Sequence, residues 1–288
     1  MMLEGATALL RRELKGQVRG RRAPATLTAY LALMVIVLGG VLLVSETVAG
    51  SGTTADSGQV LFIALAMTQT ALILLLGPVF SAGALAGERE RRTFDTLVCS
   101  RLTSGGIIVG KVAGALVFQL LLATSSLPLM ALAYVYGGVG PGTLFAVYGW
   151  DILLMVWVAS LGTAVSSLVR RTLWAAVITY VLVFLSVFMT GFLEIVVQAL
   201  LADSGRSQPS FYFIYLNPFA GLWELVIPGA REGLANGENV GSFVLWGGVW
   251  HAGVIVASLL VAGLATSPLG RRRRRRPAGP TPAPTSLS

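Results

Sequence analysis

The sequence predicts an all-α membrane protein that crosses the bilayer six times. Of its 288 residues, 55% are hydrophobic and 12% are charged, and the mean hydropathy is +0.78. Soluble domains carry about 25% charged residues, so most of this chain is adapted to a non-aqueous solvent. Six apolar segments reach the roughly 20 residues that a spanning helix needs. They cover residues 25–45, 59–83, 106–136, 143–169, 172–200 and 243–266.

The basic residues fix the orientation of these six predicted spans. All Lys and Arg residues except Arg206 and Arg231 lie before span one, after span six, or in and beside the loops that follow spans two and four. Because positively charged loops stay in the cytoplasm, we expect both termini to be cytoplasmic in a multi-pass protein of the plasma membrane. The basic residues flank apolar segments instead of alternating with aromatic residues, so nucleic acid is not an expected partner.

Each terminal segment has its own character. Residues 1–22 place apolar side chains at helical spacing between basic ones, which predicts an amphipathic helix in the membrane interface. An ordinary solvated helix is the alternative. Residues 271–288 are basic and rich in proline, and we expect a disordered cytoplasmic tail. Residues 1–270 are expected to form one transmembrane domain.

A charged stretch followed by an amphipathic helix is predicted between spans two and three. Thr93 is a candidate N-cap, Asp95 lies in the first turn, and Gly105 ends the helix. Its apolar stripe consists of Phe94, Leu97, Val98 and Leu102. Such a helix either lies on the membrane beside a solvated charged turn, or presents its apolar face to a cytosolic partner.

This loop, together with Ile107-Ile-Val-Gly-Lys111 and Tyr215-Leu-Asn-Pro-Phe219, resembles the permease subunits of ABC transporters of the exporter-type second family. The resemblance covers about residues 1–270, with two departures: Arg92 stands where the family usually has glycine, and a common proline before Ser104 is missing in Arg101-Leu-Thr-Ser104. It implies a permease that pairs with a second permease copy, identical or different, and binds soluble ATPase subunits through a coupling helix. The implied coupling residues are Glu88, Arg89, Glu90, Arg91, Arg92, Thr93, Phe94, Asp95, Leu97, Val98 and Leu102.

The chain itself lacks a nucleotide site by sequence. Residues 105–112 come close to a P-loop, but Val112 replaces the Ser or Thr that holds magnesium, and no strand precedes the glycines. We therefore expect no catalytic residue, no metal and no cofactor on this chain, with ATP and Mg bound by the partner subunit. The single Cys99 and single His251 also argue against a metal cluster.

Three ionisable residues, Asp151, Glu194 and His251, fall inside predicted spans. At 1.5 Å per residue, each lies roughly 10–12 Å below the outer edge of the membrane. Such residues usually face a bundle interior or water, which suggests a polar layer near the outer mouth of a translocation path. The alternative is that span five ends before Glu194, while Asp151 and His251 satisfy each other or nearby Trp and Tyr groups.

The apolar and aromatic segment 211–227 is interrupted by Pro218. As a seventh span it would place the C-terminal arginines outside, against the charge rule. We therefore predict a re-entrant or interfacial segment on the outer face, centred on Asn217, Pro218 and Phe219.

Three functions compete at this point: the membrane half of an ATP-driven exporter, an intramembrane enzyme using Asp151 and His251, and a non-transporting scaffold. The exporter accounts best for the loop after span two. The sequence names no cargo.

Overall fold

The computed structural model of the protein describes residues 22–48, 54–92, 104–136, 139–203, 213–227, 229–230 and 241–266. These residues contain six helical segments long and apolar enough to cross a membrane, and no strand. The predicted fold class is confirmed. Three predicted segments lie outside the described residues. They are the interfacial helix over 1–22, of which only Arg22 is described, the amphipathic helix after Thr93, and the tail 271–288. The six spans are Pro24–Val44, Gly58–Glu90, Ser104–Val135, Pro141–Leu168, Thr172–Leu200 and Phe243–Thr266.

Several spans consist of more than one helix. Between spans five and six, the described residues form a 3₁₀ turn and a short α-helix. In chain order the elements are Arg22–Val48; Thr54–Ser81 and Gly83–Glu90; Ser104–Ser125 and Leu127–Val135; Pro141–Leu168; Thr172–Phe184, the π-helical turn Leu185–Met189 and Thr190–Asp203; Ile214–Leu216 and Pro218–Val226; and Phe243–Thr266.

Span two is longer than the sequence predicts, because its helix resumes after Ala82 and runs to Glu90. The hydroxyl of Ser166 in span four accepts hydrogen bonds from the backbone N–H groups of Leu85 (2.9 Å) and Ala86 (2.8 Å). Both residues are fully buried. The charged residues after Gly87 therefore begin as part of a packed helix and not as a loop.

Span three is interrupted at Ser126, two residues before Pro128. Pro128 occupies the first turn of the second helix, where its missing N–H costs no hydrogen bond. The backbone groups of Ser126 are bonded within span three, whereas its side chain reaches a neighbouring span.

Span four is the centre of the bundle and packs against spans two, three, five and six. Its contact with span two is especially close at two glycines. A Cβ atom at Gly162 would lie 1.9 Å from Oγ of Ser81, and one at Gly77 would lie 2.5 Å from Cγ1 of Val158. Small residues allow this approach of two helix backbones, as in other membrane bundles.

Span five presents large apolar side chains on its outer surface, including Trp174, Phe184, Phe188, Phe192 and Ile195. In water such a surface would be costly, whereas acyl chains solvate it well. Only 17% of the apolar windows of spans one, five and six is buried within the chain. These three spans thus form much of the perimeter.

Candidate functional site

The end of the bundle that carries Glu88 also holds a buried ion pair between two spans. Nζ of Lys111, near the start of span three, lies 2.9 Å from Oε1 of Glu88, near the end of span two. The two side chains are 5% and 18% exposed. Removing one partner of such a pair leaves a poorly solvated charge behind, so the pair holds the two helix ends together.

The next two residues of span two bind the turn between spans four and five. Nη1 of Arg89 donates a hydrogen bond to the carbonyl of Val169 at 3.1 Å. The carboxylate of Glu90 accepts from the backbone N–H (3.1 Å) and the hydroxyl (2.7 Å) of Thr172, at the N-terminus of span five. An acidic group is favoured at that end of a helix. We call Glu88, Arg89, Glu90, Lys111 and Thr172 the charged-end cluster.

The predicted coupling residues fall in three places. Glu88, Arg89 and Glu90 belong to the charged-end cluster. Arg91 and Arg92 are exposed, and Arg92 has a φ of 57°, in the left-handed region that favours glycine. This backbone conformation gives a physical reason for the glycine that the resemblance places at this position. The remaining coupling residues, Thr93, Phe94, Asp95, Leu97, Val98 and Leu102, lie outside the described residues.

A second polar site lies in the middle of the bundle around Asp151, whose side chain is fully buried. Oδ2 of Asp151 accepts a hydrogen bond from Nε2 of Gln69 at 2.7 Å, and Oδ1 accepts from Oγ1 of Thr70 at 2.6 Å. Both partners belong to span two and are fully buried. The carboxyl group therefore joins spans two and four.

The network continues to the interruption of span three. The hydroxyl of Ser126 donates to Oε1 of Gln69, and it lies 3.3 Å from the phenol oxygen of Tyr148. We call Gln69, Thr70, Ser126, Tyr148 and Asp151 the polar core. Sequence reasoning missed its members from spans two and three. The available signal was a Gln-Thr pair in the middle of an apolar span, beside a Ser at a proline-induced break.

His251 lies in a separate, aromatic environment. It is fully buried, and Nδ1 donates to the carbonyl of Gly247 at 2.6 Å. Its ring packs edge-on against Trp157 and Trp150, with centroids 4.9 and 5.8 Å apart. Asp151 and His251 thus have different partners and do not form an acid–base dyad.

Glu194 holds the segment after span five. It is 5% exposed, and Oε2 accepts from the backbone N–H groups of Phe213 (2.9 Å) and Ile214 (3.3 Å). Oε1 accepts from Gln198 at 2.8 Å. The structure therefore places Glu194, Asp151 and His251 in three different sets of contacts. Their role in a translocation path stays a prediction.

Residues 213–227, here called the re-entrant segment, pack into the bundle. Asn217 caps the short helix by accepting from the N–H of Phe219 at 2.9 Å, and its Nδ2 donates to the carbonyl of Val187 in the π-helical turn of span five at 2.9 Å. The helix Pro218–Val226 has nine residues, about 14 Å at 1.5 Å per residue. It is too short to cross a hydrocarbon core of about 30 Å.

The re-entrant segment packs against span four. Nε1 of Trp150 donates to the carbonyl of Pro218 at 2.9 Å. A Cβ at Gly221 would lie 2.4 Å from the Trp150 ring, and one at Gly247 would lie 3.2 Å from it. Trp150 lies nine residues into span four from Pro141, so the re-entrant segment reaches roughly 14 Å along that helix.

Comparison with protein families places these features in context. The family model described as ABC-2 family transporter protein matches residues 8–260, which include all six spans except the last turns of span six. A search of the curated proteins found no match. The family match confirms the resemblance drawn from the loop and the span topology. The chain therefore belongs to the ABC-2 transporter family and is a multi-pass plasma-membrane permease of an ABC transporter.

Proposed function

We propose that this permease works in an exporter driven by a separate soluble ATPase subunit. That subunit binds ATP and Mg and acts on the loop 88–104. A second permease copy, identical or paired, completes the path through the membrane. The family match supports the transport role, and the distribution of basic residues supports a cytoplasmic position for the loop.

The observation that carries the proposal is the position of the charged-end cluster. Its residues Glu88, Arg89 and Glu90 open the segment 88–104 and bond the end of span two to three other spans. Glu88 binds Lys111 of span three, while Arg89 and Glu90 bind the turn between spans four and five. Force applied to the loop would therefore reach spans two to five together.

Rigid movement of packed helices suits such a mechanism. Ser166 of span four binds the backbone of Leu85 and Ala86, which fixes the last turns of span two to the central helix. Packed interfaces of this kind shift between discrete arrangements instead of deforming continuously. A small displacement of the cluster would then reorient whole spans.

The second permease copy is supported by the apolar surface of span five. Phe184 and Phe188 stack on each other with ring centroids 4.3 Å apart, and both are more than half exposed. Lipid can solvate this surface, but a second copy would cover it and enclose a path between two bundles.

Binding of the ATPase is tested with two variants of the predicted apolar stripe, Phe94→Asp and Leu97→Asp. The full-length permease and its candidate ATPase are co-expressed, purified through a tag on the permease, and assayed for retained subunit and ATP hydrolysis. We expect both variants to lose the ATPase, while Ser207→Asp, in the loop predicted on the opposite side, retains it. Retention of the complex and of its coupled hydrolysis in both stripe variants would overturn the assignment of this loop.

A further inference from the structure

A cavity of about 380 Å³ lies between span five, the re-entrant segment and the start of span six. Its volume is in the range of sites that hold small organic ligands. Apolar side chains form most of its wall. They come from Ile195 on span five, from Ile214, Phe219, Ala220 and Trp223 on the re-entrant segment, and from Phe243 on span six.

The amide and the carboxylate of the wall are both bonded to the protein itself. Asn217 uses its carbonyl oxygen to cap the helix at Phe219 and its amide to bind Val187. Glu194 accepts hydrogen bonds from two backbone N–H groups and from Gln198. A polar group entering the cavity would lose its water and find the amide of Asn217 and the carboxylate of Glu194 already bonded to the protein. The chemistry of the wall therefore selects an apolar occupant.

The mouth of the cavity faces the bilayer. Ile195 is 70% exposed and Trp223 is 45% exposed, and both also line the cavity. Glu194 lies six residues before Leu200, the end of span five, which places the cavity roughly 9 Å inside that end of the helix. Hydrocarbon chains are the most abundant apolar groups at this depth.

The geometry points to a binding site for one acyl chain of a membrane phospholipid, and we propose that the chain enters laterally from the bilayer. It would lie between the helix Thr190–Asp203 of span five and the short helix Pro218–Val226, next to the contact that Asn217 makes with Val187. This assignment concerns the outer half of the bundle and does not depend on the ATPase or on the identity of the cargo.

Photolabelling tests the site directly in the full-length protein. The permease is reconstituted in nanodiscs that contain a phosphatidylcholine with a diazirine at the end of one acyl chain, irradiated, digested and mapped by mass spectrometry. We expect adducts concentrated on residues 191–195 and 214–223, above the level on the exposed residues Ile36 and Leu43 of span one. A probe with the diazirine on its headgroup should not label these residues.

A matched pair of glycine variants separates the cavity from general lipid contact. A Cβ at Gly191 would meet only Nδ2 of Asn217, at 3.8 Å, whereas a Cβ at Gly253 would have no neighbour within 4 Å. Gly191 lines the cavity and Gly253 does not. Gly191→Leu should reduce labelling at the cavity about tenfold because the added side chain occupies the apolar space. Gly253→Leu should leave it unchanged.

Three outcomes would overturn the proposal. The first is labelling of the cavity residues no higher than that of Ile36 and Leu43, which indicates ordinary contact with surrounding lipid. The second is the absence of lipid adducts on the cavity residues together with their cross-linking to a second permease copy by a separate bifunctional reagent. The third is labelling that persists in Gly191→Leu. Should Gly191→Leu fail to fold, Ile195→Trp narrows the mouth from its exposed side and must reduce the labelling in the same way.

Discussion

The charged-end cluster and the polar core both join neighbouring spans, but by different chemistry. In the cluster, Glu88 is matched by the ammonium group of Lys111, and the contacts lie at the end of the bundle. In the core, Asp151 is fully buried and its hydrogen bonds come from a neutral amide and a neutral hydroxyl. The Glu88–Lys111 pair must keep both charges matched, but the exposed contact of Glu90 with Thr172 can rearrange, because water replaces a lost partner. A buried network has no such substitute, since each unpaired group keeps its full desolvation cost.

This difference indicates a division of roles. The polar core fixes the packing of spans two, three and four, whereas the proposed coupling to an ATPase requires the charged-end cluster to change its contacts when the adjacent segment moves. Disrupting the core should therefore cost stability first, and disrupting the cluster should cost coupling first.

Removing the carboxyl group of the core should have the largest effect on stability. Asp151→Ala leaves Gln69 and Thr70 buried without their partner, and we expect a loss of about 2–5 kcal/mol in the free energy of unfolding. Asp151→Asn keeps an oxygen for Gln69 and an amide for Thr70, so it should retain most of the stability. Thermal unfolding monitored by size-exclusion chromatography measures both, and equal stability of the two variants would contradict the structural role of the core.

The same asparagine variant also addresses the translocation path. If Asp151→Asn assembles with the ATPase and still loses transport, the carboxyl group acts beyond packing and the polar-layer hypothesis gains support. Unchanged transport in this variant would remove Asp151 from the path.

The close contact between spans two and four should show an intermediate effect. Gly162→Ala places a Cβ 1.9 Å from Oγ of Ser81, which forces the two helices apart, at a cost of about 1–3 kcal/mol. Gly149→Ala, on the same span, meets nothing within 4 Å and serves as the control. A clear drop in the unfolding temperature of Gly162→Ala alone is the expected result, and a drop in neither variant would refute the close approach.

Substitution of Arg92 by glycine should have the smallest effect on stability. Because its φ is 57°, Arg92→Gly should relieve strain and stabilise the helix end by about 0.5–1 kcal/mol. Arg91, with a φ of −80°, gains nothing from glycine, so Arg91→Gly should be neutral or destabilising. Unfolding temperatures that rank the two variants in the opposite order would argue against a left-handed residue at this turn.

The six spans could be predicted from the sequence because hydropathy and charge can be read directly along the chain. The six spans and the interruption near Pro128 follow from such local signals. The pairing of Glu88 with Lys111 does not, because it depends on the helix of span two continuing to Glu90, and that continuation depends on Ser166 from another span. Because the sequence does not reveal this contact, Glu88 was predicted to lie in a loop.

The partners within the polar core could not be predicted from the sequence, for a related reason. Depth along a helix can be counted from residue numbers, and Asp151, Glu194 and His251 were placed at a similar depth in this way. Rotation of each helix about its axis cannot be counted, and rotation decides which neighbour a side chain meets. Asp151 turns towards Gln69, His251 towards Trp157, and Glu194 towards the re-entrant segment.

A charge-reversal cycle at Glu88 and Lys111 tests whether the charged-end cluster transmits force from the ATPase to the spans. The permease–ATPase complex is reconstituted in nanodiscs with wild-type permease, Glu88→Lys, Lys111→Glu or the double variant, and the rise in ATP hydrolysis caused by the permease is measured. We predict that each single variant keeps the bound ATPase but loses most of that rise, because it leaves two like charges in contact. The double variant, in which the pair is restored in reverse, should recover it. Single variants that stimulate hydrolysis like the wild type would contradict the account, as would a double variant no better than either single one.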